Sequence, residues 1–174
     1  MDKGVGLRLI IPWKSFFAST NSFEEDELIH LSRVLNVSAD ENKELYIREA
    51  SRKKAKYPFS LGIEPQEVEV KRKLEMVQRA DRQARNLEKR IKQVRIIYRD
   101  TKQKITIHNS DNELIDDERD QIVFSIFVVG EDKTEMQTSY DAIGGFYGFE
   151  FLTDERLENI VTKTVKRLTG LLDA

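Results

Sequence analysis

Midway along this chain the hydrophobic period changes from helical to strand-like, and that change fixes much of what it can fold into. From Pro65 onward the apolar residues Val70, Leu74, Val77, Ala80, Ala84, Leu87 and Ile91 share one side at helical spacing. Lys71, Arg72, Arg79, Arg82, Lys89 and Arg90 fill the other side, with no Gly or Pro after Pro65 to break the run. The pattern predicts one long amphipathic helix with Pro65 at its first position. From Gln93 the period drops to two. Val94, Ile96 and Tyr98 alternate with Arg95, Ile97 and Arg99 over Gln93–Asp100, and alternation resumes over Lys104–Asn109 after a turn at Thr101-Lys102-Gln103. Glu118–Gly130 reads as a longer strand, apolar on both faces near Ile122–Val129 and therefore central. Lys133–Ala142 follows a turn at Gly130-Glu131-Asp132. Consecutive strands joined by short turns predict an antiparallel meander.

The flanks complete the pattern. Gly4–Ile11 and Phe16–Ser19, around the turn Pro12–Ser15, read as a hairpin. Ser22 and Glu25 form a capping box before a helix over Phe23–Leu35. Asn36–Ile63 has little periodicity and reads as a connector with one short helix near Asn42–Lys54. After the Gly-aromatic loop Gly144–Glu150, Thr153 is placed to cap a last helix. Its apolar face is Leu157, Ile160, Val161, Val165, Leu168 and Leu172. The fold class expected is α+β. A largely antiparallel sheet, a hairpin plus a four-strand meander, packs against long amphipathic helices, with a division into residues 1–63 and 64–174.

Charge and composition exclude several function classes. The 29 basic and 31 acidic residues leave a net charge of −2, so the whole chain has no polyelectrolyte attraction. The absence of Cys excludes a disulfide scaffold, a thiolate zinc site and a Cys nucleophile. The apolar runs Leu9–Trp13 and Ile126–Val129 are far shorter than the ~20 residues that cross a bilayer. No signal peptide is visible at Met1–Lys3, which leads to the expectation of a cytoplasmic location without membrane contact. For the same reason the Asn36-Val37-Ser38 sequon carries no meaning.

Few residues are arranged for chemistry. His30 and His108 offer no two-His metal motif, and neither has the oxyanion signature or third group that a base toward Ser19 or Ser110 would need. The acidic stretch from Asp111 to Asp120 lacks the alternating oxygen ligands and central Gly of a calcium loop, and reads as a charged β-turn. Gly4-Val5-Gly6 and Gly145–Gly148 lack the third Gly of a dinucleotide fingerprint and read as tight turns or close packing. Lys71–Lys104 holds thirteen Lys or Arg against four acids. An alternative function is therefore nucleic-acid binding, with Arg79, Arg82 and Lys89 on phosphates. No aromatic interrupts Lys71–Arg95, so a stacking platform for single strands is missing.

Several phrases, taken in order, resemble one family. Gly4-Val5-Gly6-Leu7-Arg8 followed by Phe17-Ala18-Ser19-Thr20-Asn21 is similar to the early strand pair of the TldD/PmbA family, the modulators of DNA gyrase. Lys73-Leu74 within a helix, Asn109-Ser110 after a strand, and Gly144-Gly145 with Gly148-Phe149-Glu150 before a helix continue the resemblance. Leu171-Leu172-Asp173-Ala174 resembles the passage into the family's catalytic half, while Asn36–Ile63 matches least. The resemblance implies a zinc metallopeptidase built as an oligomer of two related subunits and acting on unfolded peptides. Its zinc would sit on a His-Glu-x-x-x-His helix in the C-terminal half. No His-Glu pair occurs here, so no catalytic residue, metal ligand or cofactor contact transfers to this chain. The resemblance therefore implies a non-catalytic N-terminal portion. Residues 1–63 would end the family's N-terminal subdomain and residues 64–174 would form its middle subdomain. Its partners would be the catalytic half, a related subunit and the peptide substrate. Phe146, Tyr147 and Phe149 are the candidate contacts to peptide or partner, unless they fill the core before the last helix.

Overall fold

The alternation over Val5–Ile11 and Lys14–Thr20 folds as two strands, β1 and β2, paired antiparallel with Leu9 opposite Phe16. Trp13 closes their turn at φ 68°, a left-handed conformation that costs a non-glycine residue about 1 kcal/mol or more, and its side chain is fully exposed. Phe17 lies across Gly6, where a Cβ would come within 3.1 Å of the ring. Helix α1 spans Glu25–Ala39, and its acidic first turn faces the positive end of the helix. Ser22 Oγ accepts from the Glu24 amide at 3.2 Å, one residue earlier than a capping box requires. These elements belong to the first of two compact units, Met1–Glu49 and Ala50–Ala174. The computed structural model describes residues 2–39, 51–54, 61–133 and 135–174.

The second unit is built on one very long strand. β3 is Ser51–Lys54, β4 is Ile91–His108, β5 is Glu113–Asp132 and β6 is Glu135–Gly145. β5 pairs antiparallel with β4 along its whole length; on its other side it meets β3, parallel, at one end and β6, antiparallel, at the other. Three strands of the expected meander are therefore present, and the fourth strand of the sheet is the parallel β3. The expected turn at Thr101-Lys102-Gln103 does not exist. β4 runs straight through it, with Lys102 opposite Asp120 and Lys104 opposite Glu118, because cross-strand charge pairs suit these polar residues as well as a turn would. Lys102 Nζ reaches both Glu118 and Glu64 at 2.8 Å.

The acidic stretch is corrected in the same way. Only Asp111 lies in the turn, and Glu113 to Asp120 are in β5. Asn109 makes the turn instead: its side-chain oxygen accepts from the amides of Asp111 and Glu113, and Asn112 adopts φ 59°. The Gly130-Glu131-Asp132 segment likewise stays in β5. The helix expected near Asn42–Lys54 is contradicted at Ser51–Lys54, where backbone pairing to Glu113–Asp116 draws the chain into the sheet. The rest of that expectation lies outside the described residues.

One sheet face carries the helices. Ile122, Phe124, Ile126 and Val128 of β5 are fully buried there, beside Val94, Ile96 and Tyr98 of β4 and Ile143 of β6. Helices α2, Val70–Leu87, and α3, Asp154–Leu172, cover them. Pro65 starts a separate 3₁₀ turn, Pro65–Glu67, and α2 begins only at Val70. The face that α2 buries is Met76, Ala80 and Ala84, while Val70, Leu74 and Leu87 are exposed. Small residues at Ala80 and Ala84 let the helix approach the sheet closely, with Met76 buried and Val77 packed against the core beside them. α3 matches expectation. Thr153 Oγ1 accepts from the Arg156 amide, and Leu157, Ile160, Val161, Val165 and Leu168 are buried. Thr164 is buried among them with its hydroxyl donating to the Ile160 carbonyl at 2.7 Å.

Candidate functional site

The Gly-aromatic loop leaves β6 and enters α3 through a 3₁₀ turn, Phe149–Phe151. Glycine is needed at its start. A Cβ at Gly144 would run into the Ile122 carbonyl, and Gly145 adopts φ 154° with the Tyr147 ring against it. The structure separates the three candidate aromatics. Phe149 is buried, edge-on to Tyr98 with centroids 6.0 Å apart, and lies 5.2 Å beneath the Arg72 guanidinium. It belongs to the core. Tyr147 is partly exposed and stacks flat on Phe151 with centroids 4.2 Å apart, and Arg156 also packs on Phe151 at 4.2 Å. Phe146 is exposed to a similar degree as Tyr147.

A latch fixes this loop to the segment that precedes α2. The Glu150 carboxylate accepts from the amides of Gly62 at 3.0 Å and Ile63 at 2.8 Å, and the Phe149 amide donates to the Ile63 carbonyl at 2.9 Å. Burial works to raise the Glu150 pKa, but the backbone donors outweigh it and hold the carboxyl below its ordinary value. A Cβ at Gly148 would collide with that carboxylate, which explains the third glycine of the loop. Sequence reasoning missed the latch because Glu150 contacts residues 87 and 88 positions away. The paired glycines, Gly62 and Gly148, were its only local signal.

Beside the loop lies an open groove of about 510 Å³, lined by Arg72, Met76, Arg79, Arg82, Phe149, Leu152, Glu75 and Asp154. Arg79 makes a two-pronged ion pair with Asp154. Arg82 lines the same groove without an acidic partner among the described residues, whereas Lys89 lies beyond the end of α2 and outside it. The three candidate phosphate contacts therefore do not converge. Behind the groove, Lys73 Nζ meets Asp100 at 2.6 Å and lies 5.4 Å over the Tyr98 ring. Burial first, and then the Asp100 carboxylate, push the Tyr98 phenol far above its ordinary range. At the other end of the helices, Glu88 accepts from the Arg90 backbone, the Arg90 guanidinium and Thr169 Oγ1. These contacts, the Arg90 side chain foremost, hold its pKa down at about 2.

Residues 63–172 match the PmbA/TldA metallopeptidase central domain. The chain belongs to the TldD/PmbA family. Two solved structures share its fold, each named a candidate modulator of DNA gyrase. The one from Thermotoga maritima is 17% identical with a TM-score of 0.66, and covers 98% of this chain with 38% of its own. The one from Bacteroides thetaiotaomicron is 17% identical with a TM-score of 0.69, and covers 95% of this chain with 39% of its own. The TldD/PmbA chain described here thus spans about two-fifths of the length of either neighbour. No curated protein matches it.

The donor set does not fit the metal ion that the family name implies. Among the described residues no three His, Asp or Glu side chains are grouped to hold a metal. His30 lies on α1 and His108 at the end of β4, and neither makes a hydrogen bond to Ser19 or Ser110 among the described residues. No described helix is long and apolar enough to cross a membrane.

Proposed function

We propose that this chain is a non-catalytic part of a TldD/PmbA-type metallopeptidase, which assembles with the catalytic half and a related subunit and frames the chamber where an unfolded peptide is held. The observation that carries this reading is the extent of the match: 63–172 correspond to a central domain, and nearly the whole chain corresponds to 38% of a solved neighbour. Two features suit peptide holding. The outer edge of β4 is unpaired among the described strands, and an extended chain can add to such an edge through backbone hydrogen bonds without reading sequence. Tyr147 and Phe146 offer exposed ring edges for apolar side chains, whereas Phe149 is committed to packing. Zinc and hydrolysis belong, on this reading, to the part of the family outside this chain.

The test is cleavage of an unstructured, fluorogenic peptide by this chain alone and by the complete protein, both supplied with zinc. We expect turnover only from the complete protein, and a photo-crosslinker at Tyr147 of that protein to label the peptide. Zinc-dependent cleavage by the chain alone would overturn the proposal.

The nucleic-acid alternative has the charge pairing against it. Seven of the thirteen cations in Lys71–Lys104 already face an acid: Lys73, Arg79, Arg85, Arg90, Lys92, Lys102 and Lys104. The six that remain are divided between α2 (Lys71, Arg72, Arg82), the residue Lys89 beyond it, and β4 (Arg95, Arg99), with Arg72 and Arg95 packed over the rings of Phe149 and Phe127, so they do not form one strip for displacing counterions from phosphate.

A further inference from the structure

β5 is apolar on both sides, yet the helices cover only one. Residues paired directly across strands share a face, so the uncovered side is set by the register: Arg95 opposite Phe127 opposite Tyr140, and Ile97 opposite Ser125 opposite Ala142. Three of its apolar members are open, Ile97 at 42%, Tyr140 at 56% and Met136 at 63% exposure, whereas Val129 is buried and Phe127 lies half-buried with Arg95 5.4 Å above its ring. Its centre is basic, and the acids that share the face lie at its ends, Asp117 paired with Arg119 and Glu131, opposite Met136, paired with Lys92. At the positions on this face along Gln93–Thr101, Gln121–Val129 and Met136–Gly144 there is no Asp or Glu, and Arg99, like Arg95, has no acidic partner among the described residues. The covered face is different: Asp100 there meets Lys73, and Asp141 meets Lys163 and Arg167.

We infer that this face is the docking surface for an acidic amphipathic helix, with apolar residues along the centre and carboxylates opposite Arg95 and Arg99. A helix is the element that already covers the other side of the same sheet, and a sheet apolar on both faces is completed by a layer on each. A second copy laid centre to centre would bring the same arginines together, and the acids at the ends of the face, Asp117 and Glu131, are already paired with Arg119 and Lys92. An added strand would take an edge rather than the face. The inference uses the side chains on the sheet face, whereas the peptide-holding proposal uses the backbone edge of β4 and the rings of Phe146 and Tyr147.

The test uses two stapled 18-residue helical peptides, one of Leu and Glu and the other of Leu and Lys on the same apolar stripe, titrated by fluorescence anisotropy into this chain. We expect the Glu peptide to bind at least tenfold more tightly. The double variant Arg95→Glu, Arg99→Glu should reverse that preference, and Ile97→Lys should weaken both peptides. Lys166→Glu, on the exposed side of α3, should leave the preference unchanged, and circular dichroism checks that each variant is folded. Absence of binding, equal binding of the two peptides, or a preference that the double reversal does not move would overturn the inference. So would concentration-dependent dimerisation of the chain that Ile97→Lys abolishes, which would give the face to a second copy.

Discussion

The two units use the same parts, antiparallel strands and amphipathic helices, and end with different interiors. In Ala50–Ala174, β5 is flanked on both edges and two helices close one face, so Ile122, Phe124, Ile126 and Val128 lose all contact with solvent. In Met1–Glu49 a two-stranded sheet meets one helix, and Leu35 is the only hydrophobic residue buried among those described. Ile10, Trp13 and Phe17 remain largely open there. The difference is one of geometry rather than hydrophobicity. A strand buries its side chains only when it has neighbours on both edges and a layer above, and a lone hairpin with one helix offers neither in full. The second unit has the means to fold on its own core, while the first depends on what else it packs against.

The sharpest way to test that contrast is to damage the better core. Phe124→Ala removes a fully buried ring from the middle of β5 and should cost about 3–5 kcal/mol. The main urea transition should shift to lower concentration with little change in slope. A loss below about 1 kcal/mol would show that the sheet is not the cooperative centre.

The next largest effect is electrostatic. Glu88 ties the end of α2 to the start of β4 and to α3, and its side chain is only 12% exposed. Its folded pKa lies at about 2, against 4.5 for the free group. A lowered folded pKa means that the stabilisation is fully present above the unfolded value and is lost as pH falls from about 4.5 toward 2. Glu88→Gln should therefore cost about 2–3 kcal/mol at pH 7 and flatten the loss of stability across that acid range, as read by denaturant titrations from pH 7 to pH 2. An unchanged pH profile in the variant would show that Arg90 and Thr169 do not depend on the charge.

The same contrast governs how much was legible in the sequence. Elements with a strong local period were readable. The α3 face, its Thr153 cap, the presence of the hairpin and the central position of Ile122–Val129 all derive from period and capping chemistry, while the hairpin turn is two residues long rather than the four of Pro12–Ser15. What escaped was decided by partners distant in the chain. Thr101-Lys102-Gln103 has turn-like polarity, and only the acids of β5 show why it is extended. The rotation of α2 onto Met76, Ala80 and Ala84 depends on how closely the sheet approaches, which no helical wheel contains. At the candidate site, the Gly-aromatic segment was visible as a motif, but the division of labour between buried Phe149 and exposed Tyr147 was not, nor was the Glu150 latch.

A smaller effect separates local capping from core packing. Thr153→Ala removes the side-chain acceptor from the Arg156 amide and should cost about 1 kcal/mol, seen as a lower melting temperature with the α3 amides exchanging faster. The effect stays small because the buried face of α3 is untouched.

In the first unit almost no effect on global stability is expected at a position where a core residue would ordinarily matter. Leu35→Ala truncates the one buried hydrophobic side chain among the described residues of the hairpin unit. A leucine in a well-packed core would cost about 2–5 kcal/mol on such a change. If the two units unfold separately, the main urea transition belongs to the second and should move by less than about 0.5 kcal/mol. The loss should instead appear as faster hydrogen exchange confined to β1, β2 and α1, because local opening reports the free energy of the element that opens. A shift of the main transition as large as a core leucine gives would mean that the hairpin unit folds cooperatively with the sheet, and the contrast between a self-sufficient unit and a dependent one would fail.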